Sequence, residues 1–321
     1  MAEKILAGSA RHLELKAGIR KIDYLMINFP FLCNYRCTKC CNFGREGKGK
    51  EPFSLTEIEE ILKQAKELGA RVLVIAGEGE PLMYSKIKEV VKSSFDNGLI
   101  PYIFTNGSML TVPMIKFLKE NNTSLIINCD SMNEEQYDKL SGSKGSFKTL
   151  MKNLANVRKY FAGTWEKIRG NEIRRIAINT VVSGINHNQV QKVIDFCGED
   201  FAFVLNRPIN IGKAKNNPAF CSQKDAEEIL QKHQNHAPLG KAMNGTWCTY
   251  MRNGISVGSN GDILTCAYSL ESAGKFGNIK GKKLRDFIGA ANKAVDKFYS
   301  REEHHHCILR HPNYKKFITD L

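Results

Sequence analysis

Buried strands alternate with amphipathic helices through most of the first two thirds of this chain. The first strand pattern covers 22–29, and the first helix pattern covers 54–69, where apolar residues recur at helical spacing and Gly69 supplies the stop. Further strand patterns lie at 71–76, 100–104, 124–128, 175–182 and 201–205. Helix patterns separate them at 85–97, 112–121, 147–160 and 187–197, with helical character also from 134. Apolar, β-branched strands separated in this way predict a parallel sheet covered by helices, either open or curved into a barrel.

The length and the distribution of charge are typical of a globular protein. The 321 residues include no apolar run long enough to cross a bilayer, and the charged N-terminal segment does not resemble a secretion signal. We therefore expect a cytoplasmic protein with no membrane partner. The alternating pattern ends near residue 210, which predicts an N-terminal extension at 1–21, a barrel domain at 22–215 and a smaller C-terminal module at 216–321.

Two bulk properties indicate the kinds of partner that the chain binds. Ten cysteines without a secretion signal favour metal binding over a disulfide framework. The net charge of +14 favours acidic partners, such as nucleic acid, phosphorylated substrates, an acidic peptide or an acidic flavodoxin-like reductant. A well-solvated, lysine-rich surface without a specific partner explains the same charge.

A group of closely spaced cysteines directly follows the first predicted strand. Cys33, Cys37 and Cys40 lie on one short segment, so a loop can turn all three thiolates toward a single cubane. A four-iron cluster has four corners, and three cysteines leave one iron open to a small chelating ligand. A zinc knuckle is the alternative, although zinc usually takes a fourth Cys or His ligand nearby.

The Cys-x3-Cys-x2-Cys spacing after the first strand resembles the radical S-adenosylmethionine (SAM) superfamily, and the resemblance extends over residues 22–207. It implies a partial (β/α)6 barrel whose SAM-binding 4Fe-4S cluster cleaves SAM to a 5′-deoxyadenosyl radical. It also implies an external electron donor such as flavodoxin or ferredoxin. Many members of the family carry an aromatic residue just before the third cysteine, where this chain has Lys39.

Polar residues after the later strands fit the same resemblance. The segment Gly77-Glu78-Gly79-Glu80-Pro81 resembles the family's Gly-Gly-Glu segment, so Gly77, Gly79 and Glu80 are expected to receive the methionyl ammonium group of SAM. Further SAM contacts are expected from residues at the ends of the third, fourth and fifth strands. These are Asn106, Asn128, Asp130, Ser131 and Asn179. In barrel enzymes, functional groups collect at this end of the strands, although each of these residues also suits an ordinary turn or cap.

A second group of cysteines lies in the C-terminal module. A hairpin turn predicted at Asn260-Gly261 brings Cys248 and Cys266 together, and a helix is predicted at 284–298. This region resembles the twitch or SPASM extension of radical SAM enzymes, which binds auxiliary 4Fe-4S clusters. Cys307 is then the third expected ligand, and the fourth is left open between a histidine, substrate and solvent. Plain hairpin cysteines are the alternative.

The resemblance implies that the enzyme abstracts hydrogen from a substrate. The reaction that follows this abstraction stays open. One hypothesis is oxidation or epimerisation of a sugar or aminocyclitol carbon, with Cys221 as a candidate hydrogen-atom donor. The second is modification of a ribosomally made peptide. We favour the small molecule, because no separate leader-binding domain is predicted before the first strand. A third hypothesis, a non-catalytic iron–sulfur or zinc module that binds nucleic acid, does not explain the βα repeats.

Overall fold

The computed structural model describes residues 3–18, 22–29, 32–41, 53–76, 78–206, 208–209, 212–215, 217, 228–229, 231–233, 248–264, 266 and 275–301. The strands in this part of the chain are β1 (Lys4–Leu6), β2 (Tyr24–Ile27), β3 (Val72–Ile75), β4 (Ile100–Thr105), β5 (Ser124–Asn128), β6 (Glu166–Ile168), β7 (Asn171–Arg174), β8 (Ile176–Val181), β9 (Ala202–Asn206), β10 (Gly254–Val257), β11 (Asp262–Leu264) and β12 (Lys275–Asn278). The helices are α1 (Ala10–Ala17), α2 (Leu55–Glu67), α3 (Ile87–Asp96), α4 (Val112–Glu120), α5 (Glu134–Ser141), α6 (Ser146–Phe161), α7 (Val190–Cys197), α8 (Thr249–Arg252) and α9 (Arg285–Arg301).

The main sheet has nine strands in the order β12-β11-β10-β2-β3-β4-β5-β8-β9. Strands β2, β3, β4, β5, β8 and β9 pair in parallel in chain order, each with its neighbour. The predicted parallel α/β fold and its six strands are confirmed. No pairing joins β9 to β12 among the described strands, so the sheet is open, as in a partial barrel.

Local sequence determines where α2 begins. At the start of α2, the Ser54 hydroxyl accepts a hydrogen bond from the Glu57 backbone N–H at 3.2 Å, and the Glu57 carboxylate accepts one from the Ser54 N–H at 2.7 Å. This reciprocal capping box satisfies two backbone donors that the helix leaves unpaired. The predicted start at residue 54 is therefore confirmed.

The two faces of the sheet are buried by different elements. On the helix-covered face, buried side chains of alternate strand residues such as Leu25 and Leu73 pack against apolar side chains of α2, α3, α4, α6 and α7. On the opposite, inner face, Met26 and Val74 pack with Leu6 of β1 and Leu13 of α1. Because successive strand residues face opposite sides, each strand that is buried on both faces is almost continuously apolar.

Three features of the fold add to the sequence analysis. Strands β1, β7 and β6 form a second, three-stranded sheet, and the pattern did not predict β1, α1 or this sheet. The predicted hairpin is confirmed, since β10 and β11 pair antiparallel. Strand β10 also pairs in parallel with β2, which extends the main sheet beyond the six βα strands. The division into domains at 1–21, 22–215 and 216–321 stays a prediction.

Within the described residues, every helix is either too short or too polar to pass through a lipid bilayer.

Candidate functional site

The cysteine loop, residues 32–41, leaves the sheet at the carboxyl end of β2. Its thiols at Cys33, Cys37 and Cys40 are partly exposed and free of disulfides. Burial raises the pKa of Cys33, and it raises the pKa of Cys37 to about 12. The charge of Cys40 adds to both shifts, so the three sulfurs lie within electrostatic range of one another.

The backbone of this loop is held at its start by the turn after β3. The Glu80 N–H donates a hydrogen bond to the Leu32 carbonyl at 2.8 Å. A Cβ atom added to Gly79 would lie 2.5 Å from the same carbonyl oxygen. Such an approach is possible only for glycine, so Gly79 brings the two loops into direct backbone contact.

The middle of the loop is held by the end of α5. The Arg36 N–H donates to the Ser141 carbonyl at 2.9 Å, and the Thr38 N–H donates to the Leu140 carbonyl at 2.9 Å. Gly142 ends the helix with φ +62°, and a Cβ there would lie 2.8 Å from the Arg36 carbonyl carbon. Gly142 therefore meets two requirements at once, a left-handed helix cap and a close backbone approach.

The end of the loop is held by the segment that follows β9. The Lys213 N–H donates to the Cys40 carbonyl at 2.8 Å. Gly212 has φ +63°, and its Cβ would lie 2.5 Å from the Cys41 carbonyl oxygen. The third cysteine is thus fixed by an element about 170 residues away in the chain, and sequence reasoning missed Gly142 and Gly212 because nothing local marks them.

Cys33, Cys37 and Cys40 fit the ligand set of a four-iron cluster. They come from one loop, retain partial exposure and are thiols, the ligand type that iron–sulfur clusters take. Within the described residues, no three His, Cys, Asp or Glu side chains lie close enough to hold one metal ion. That finding concerns a mononuclear site, because each thiolate of a four-iron cluster binds a different iron at a separate corner.

Glu80 is buried at the centre of the turns after β3 and β4, with only 3% of its surface exposed. Its carboxylate accepts hydrogen bonds from the Thr105 hydroxyl at 2.6 Å, the Asn106 N–H at 2.6 Å and the Leu82 N–H at 3.2 Å. Burial raises the pKa of Glu80 to about 7, and these three donors limit the rise. A carboxylate offers about four acceptor positions, so roughly one is left for a ligand.

Asn106 joins the turn after β4 to the cysteine loop. Its side-chain amide donates to the Asn34 side-chain oxygen at 3.0 Å, and Asn34 donates to the Ser108 hydroxyl at 2.9 Å. The Asn106 side-chain oxygen accepts from the Ser108 N–H at 2.9 Å. The predicted SAM residue Asn106 therefore lies beside the cysteine loop, where it also stabilises a turn.

Three asparagines form an amide ladder at the carboxyl ends of β5, β8 and β9. The Asn179 side-chain amide donates to the Asn128 oxygen at 2.7 Å, and the Asn206 amide donates to the Asn179 oxygen at 2.6 Å. Period-two alternation places the ladder on the inner face, above Ile126 and Val204. Asn128 and Asn179 were predicted site residues. The sequence analysis missed Asn206. Its position could have indicated it, because Asn206 is a polar residue that follows the apolar inner-face residues of β9.

Asp130 and Ser131, also predicted, follow β5 and are buried. Asp130 forms an ion pair with Lys39 of the cysteine loop, and its other carboxylate oxygen accepts from the Val181 N–H at 2.9 Å. The Ser131 hydroxyl donates to the Gln136 side chain at 2.6 Å and accepts from the Asn133 N–H at 3.0 Å. Asp130 thus faces the cysteine loop, whereas Ser131 is engaged in the start of α5.

The second cysteine group lies at the opposite edge of the sheet. Strand β10 runs parallel to β2, and Cys248 precedes the amino end of β10. Strand β11 runs back antiparallel to β10, so Cys266, which follows β11, lies at the same end. Both cysteines therefore lie toward the amino end of β2. The two cysteine groups therefore lie at opposite ends of β2, a four-residue strand about 13 Å long. Cys307 and its neighbouring histidines, like Cys221 and Gly77, lie outside the described residues.

The turn of the same hairpin reaches the cysteine-loop edge. The Ser259 hydroxyl lies 2.8 Å from each carboxylate oxygen of Glu78. Glu78 belongs to the same turn as Gly79 and Glu80. The β10–β11 hairpin is therefore in contact with the turn that holds the cysteine loop.

Comparison with known sequences gives one family and a set of partial relatives. A profile described as Radical SAM superfamily matches residues 27–197. The chain is 25% identical over 179 residues to a probable GTP 3′,8-cyclase of Methanococcus maripaludis, which covers 56% of each protein. It is 25% identical over 168 residues to the GTP 3′,8-cyclase of Photorhabdus laumondii, or 51% of this chain and 50% of that protein. The chain thus spans about half the length of the curated relatives it matches.

Comparison with solved structures supports the fold. Streptococcus suis SuiB bound to the precursor peptide SuiA superposes with a TM-score of 0.69 at 16% identity, covering 95% of this chain and 77% of that one. Native anSMEcpe with bound AdoMet gives a TM-score of 0.63 at 16% identity, covering 92% of this chain and 95% of that one. At these identities the likeness shows the fold alone.

The two long-range glycine contacts give a testable prediction. Gly142→Ala and Gly212→Ala should each move the cysteine loop, because the new methyl group overlaps its backbone. We expect both variants to bind severalfold less iron after anaerobic reconstitution, measured as iron per chain and as visible absorption.

Gly145→Ala is the matched control. Gly145 has φ +78°, and nothing lies within 4 Å of its Cβ position. All three variants then carry a similar backbone strain of about 1–2 kcal/mol, seen as a small loss in thermal stability. Equal iron loss in Gly145→Ala and the other two would show that strain, not contact with the loop, is responsible.

Proposed function

Because the chain belongs to the radical SAM superfamily, we propose that it abstracts hydrogen from a neutral, hydrogen-bonding substrate of the sugar or aminocyclitol type. Members of the family use a 4Fe-4S cluster and SAM as cofactors. The observation that carries the proposal is the shared position of the cysteine loop, Glu80 and the amide ladder at the carboxyl end of one parallel sheet. When bound, the cluster supplies the electron that cleaves SAM reductively.

The residues of this chain have separate tasks in the proposal. Cys33, Cys37 and Cys40 hold the cluster. The remaining acceptor position of Glu80 receives the SAM ammonium group, and Asn106 lies next to it on the turn after β4. An external one-electron donor, such as flavodoxin or ferredoxin, delivers the electron, and the basic surface favours an acidic donor.

The amide ladder, whose members Asn128 and Asn179 are also expected to contact SAM, supports the proposed substrate class. Asn128, Asn179 and Asn206 present both donors and acceptors on the inner face, where each amide is fixed by its neighbour. Neutral amides match hydroxyl and amine groups, which donate and accept hydrogen bonds, better than they match a triphosphate. The curated relatives are named for a reaction of GTP, so GTP belongs among the compounds tested.

A peptide is the second candidate substrate. The net charge of +14 favours an acidic peptide, and a solved structure with this fold has a precursor peptide bound. Incubating the enzyme with SAM, reductant and either aminocyclitols, model peptides or GTP separates the candidates. The true substrate class raises 5′-deoxyadenosine formation well above the substrate-free rate. In deuterated solvent, deuterium gained by the product indicates epimerisation, loss of two hydrogens indicates oxidation, and an unchanged mass indicates rearrangement.

Replacing all three loop cysteines tests the central assignment. Cys33→Ala, Cys37→Ala and Cys40→Ala combined should abolish 5′-deoxyadenosine formation, because no thiolate ligand of the cluster remains. Chromatography of the quenched reaction measures the product, and Cys197→Ala, a buried cysteine in α7, is the control that should retain activity. Persistent SAM cleavage in the triple variant would refute the assignment. A wild type that forms no 5′-deoxyadenosine would favour the non-catalytic binding module.

The role of Glu80 predicts the pH dependence of SAM binding. An ionised carboxylate pairs with the ammonium group, so affinity should be highest between the Glu80 pKa of about 7 and the pKa of the SAM amino group, about 7.7–8.0 for an α-amino group, and fall by up to about tenfold per pH unit below 7. Glu80→Gln should remove this slope and weaken binding tenfold or more, since charge-assisted bonds contribute about 1.5–3 kcal/mol. Equilibrium binding between pH 5.5 and 8 measures both.

Thr105→Val is the variant that separates charge from structure. It keeps the Glu80 carboxylate and removes a hydrogen bond that lowers its pKa, so the midpoint of the pH dependence should move to higher pH. A slope that survives in Glu80→Gln, or a midpoint that stays fixed in Thr105→Val, would assign the titration to another group.

The C-terminal cysteines give a prediction about an auxiliary cluster. We propose that Cys248, Cys266 and Cys307 bind a second 4Fe-4S cluster independently of the first, because Cys248 and Cys266 lie at the opposite end of β2 from the cysteine loop. The variant without Cys33, Cys37 and Cys40 should then retain about four irons with the paramagnetic signal of a reduced cluster. Replacing Cys248, Cys266 and Cys307 as well should eliminate that iron. A folded triple variant without iron would mean that the chain holds one cluster only.

A further inference from the structure

A buried ion pair joins the cysteine loop to the end of β5. Lys39 stands immediately before the third cysteine, and its side chain is 12% exposed, while that of its partner Asp130 is 8% exposed. The ammonium nitrogen is itself buried, and among the described residues its only polar contact is this carboxylate. A charged pair is thus kept out of water beside the residues that hold the cluster.

Asp130 is fixed more firmly than a surface partner would be. One of its carboxylate oxygens accepts from the Val181 N–H at 2.9 Å, and its backbone carbonyl accepts from the Asn186 side chain at 2.8 Å. Asp130 is therefore anchored by strand β8 and by the turn after it, and its carboxylate holds the lysine in place. Removing two charges from water is costly, and the pair is a weak source of stability for that reason.

The two charges act unequally on the loop. Lys39 belongs to the cysteine loop itself, between Cys37 and Cys40, whereas Asp130 reaches the loop from the end of β5. The cation is therefore held closer to the cluster ligands than the anion. The loop thus experiences a net positive potential from the pair in a region of low dielectric, where charges interact strongly.

We propose that Lys39 raises the reduction potential of the cluster held by Cys33, Cys37 and Cys40, and that Asp130 fixes Lys39 while opposing part of its effect. The inference rests on the proposed function of the loop. Reduction adds one electron from the external donor and makes the cluster more negative by one charge. A fixed cation beside the ligands stabilises that reduced state, and a fixed anion destabilises it.

The test is an equilibrium redox titration of the reconstituted protein, followed by the paramagnetic signal of the reduced cluster. Where two clusters give signals, the signal of this cluster is identified as the one that changes when SAM is added. Lys39→Met keeps the length of the side chain and removes its charge. At a fixed solution potential the ratio of reduced to oxidised cluster should fall about tenfold, which is about 59 mV for one electron. Lys39→Arg keeps the charge and should leave the midpoint nearly unchanged.

The effect of Asp130 is measured in the Lys39→Arg background, because an arginine stays charged without its partner. Adding Asp130→Asn should move the midpoint to a less negative potential, opposite to Lys39→Met. The inference would be overturned if Lys39→Met and Asp130→Asn shifted the midpoint potential in the same direction, or if neither variant shifted it. If Asp130→Asn does not fold, the comparison of Lys39→Met with Lys39→Arg decides. A wild type with no SAM-sensitive signal would contradict the proposed function instead.

Discussion

The site depends on close backbone contact between the cysteine loop and three separate elements. A loop with three thiolates has few side chains to spare for packing, and here main-chain hydrogen bonds hold it at its start, middle and end. Gly79, Gly142 and Gly212 make these contacts possible, because any Cβ at those positions would overlap the loop backbone. The contacts come from turns after β3, α5 and β9, so correct assembly of the sheet positions the cysteines.

Much of the fold could be predicted because its strands carry strong local patterns. Strands buried on both faces are continuous apolar runs, and the capping box at Ser54 marks a helix start within four residues. The pattern missed β1, which has three residues and pairs with β7 about 170 residues away. A strand of three residues is too short to show an alternating hydrophobic pattern, and its pairing is decided by tertiary contacts.

The residues of the candidate site likewise fall into two groups: those that local sequence indicates, and those that depend on contacts between distant parts of the chain. The cysteine spacing and the Glu80 turn are continuous in sequence, so they could be recognised from it. The ion pair of Lys39 with Asp130 and the third member of the amide ladder, Asn206, depend on which strands become neighbours. Sequence spacing contains no information about such contacts until the order of the strands is known.

The β10–β11 hairpin gives the two edges of the sheet a physical connection. Its turn contacts Glu78, next to the residues that hold the cysteine loop, and its open end leads to Cys248 and Cys266. Because β10 is hydrogen-bonded to β2 along its length, the hairpin is part of the main sheet and not a loosely attached appendage. The spacing between the cysteine loop and the pair Cys248 and Cys266 is therefore set by β2 and β10.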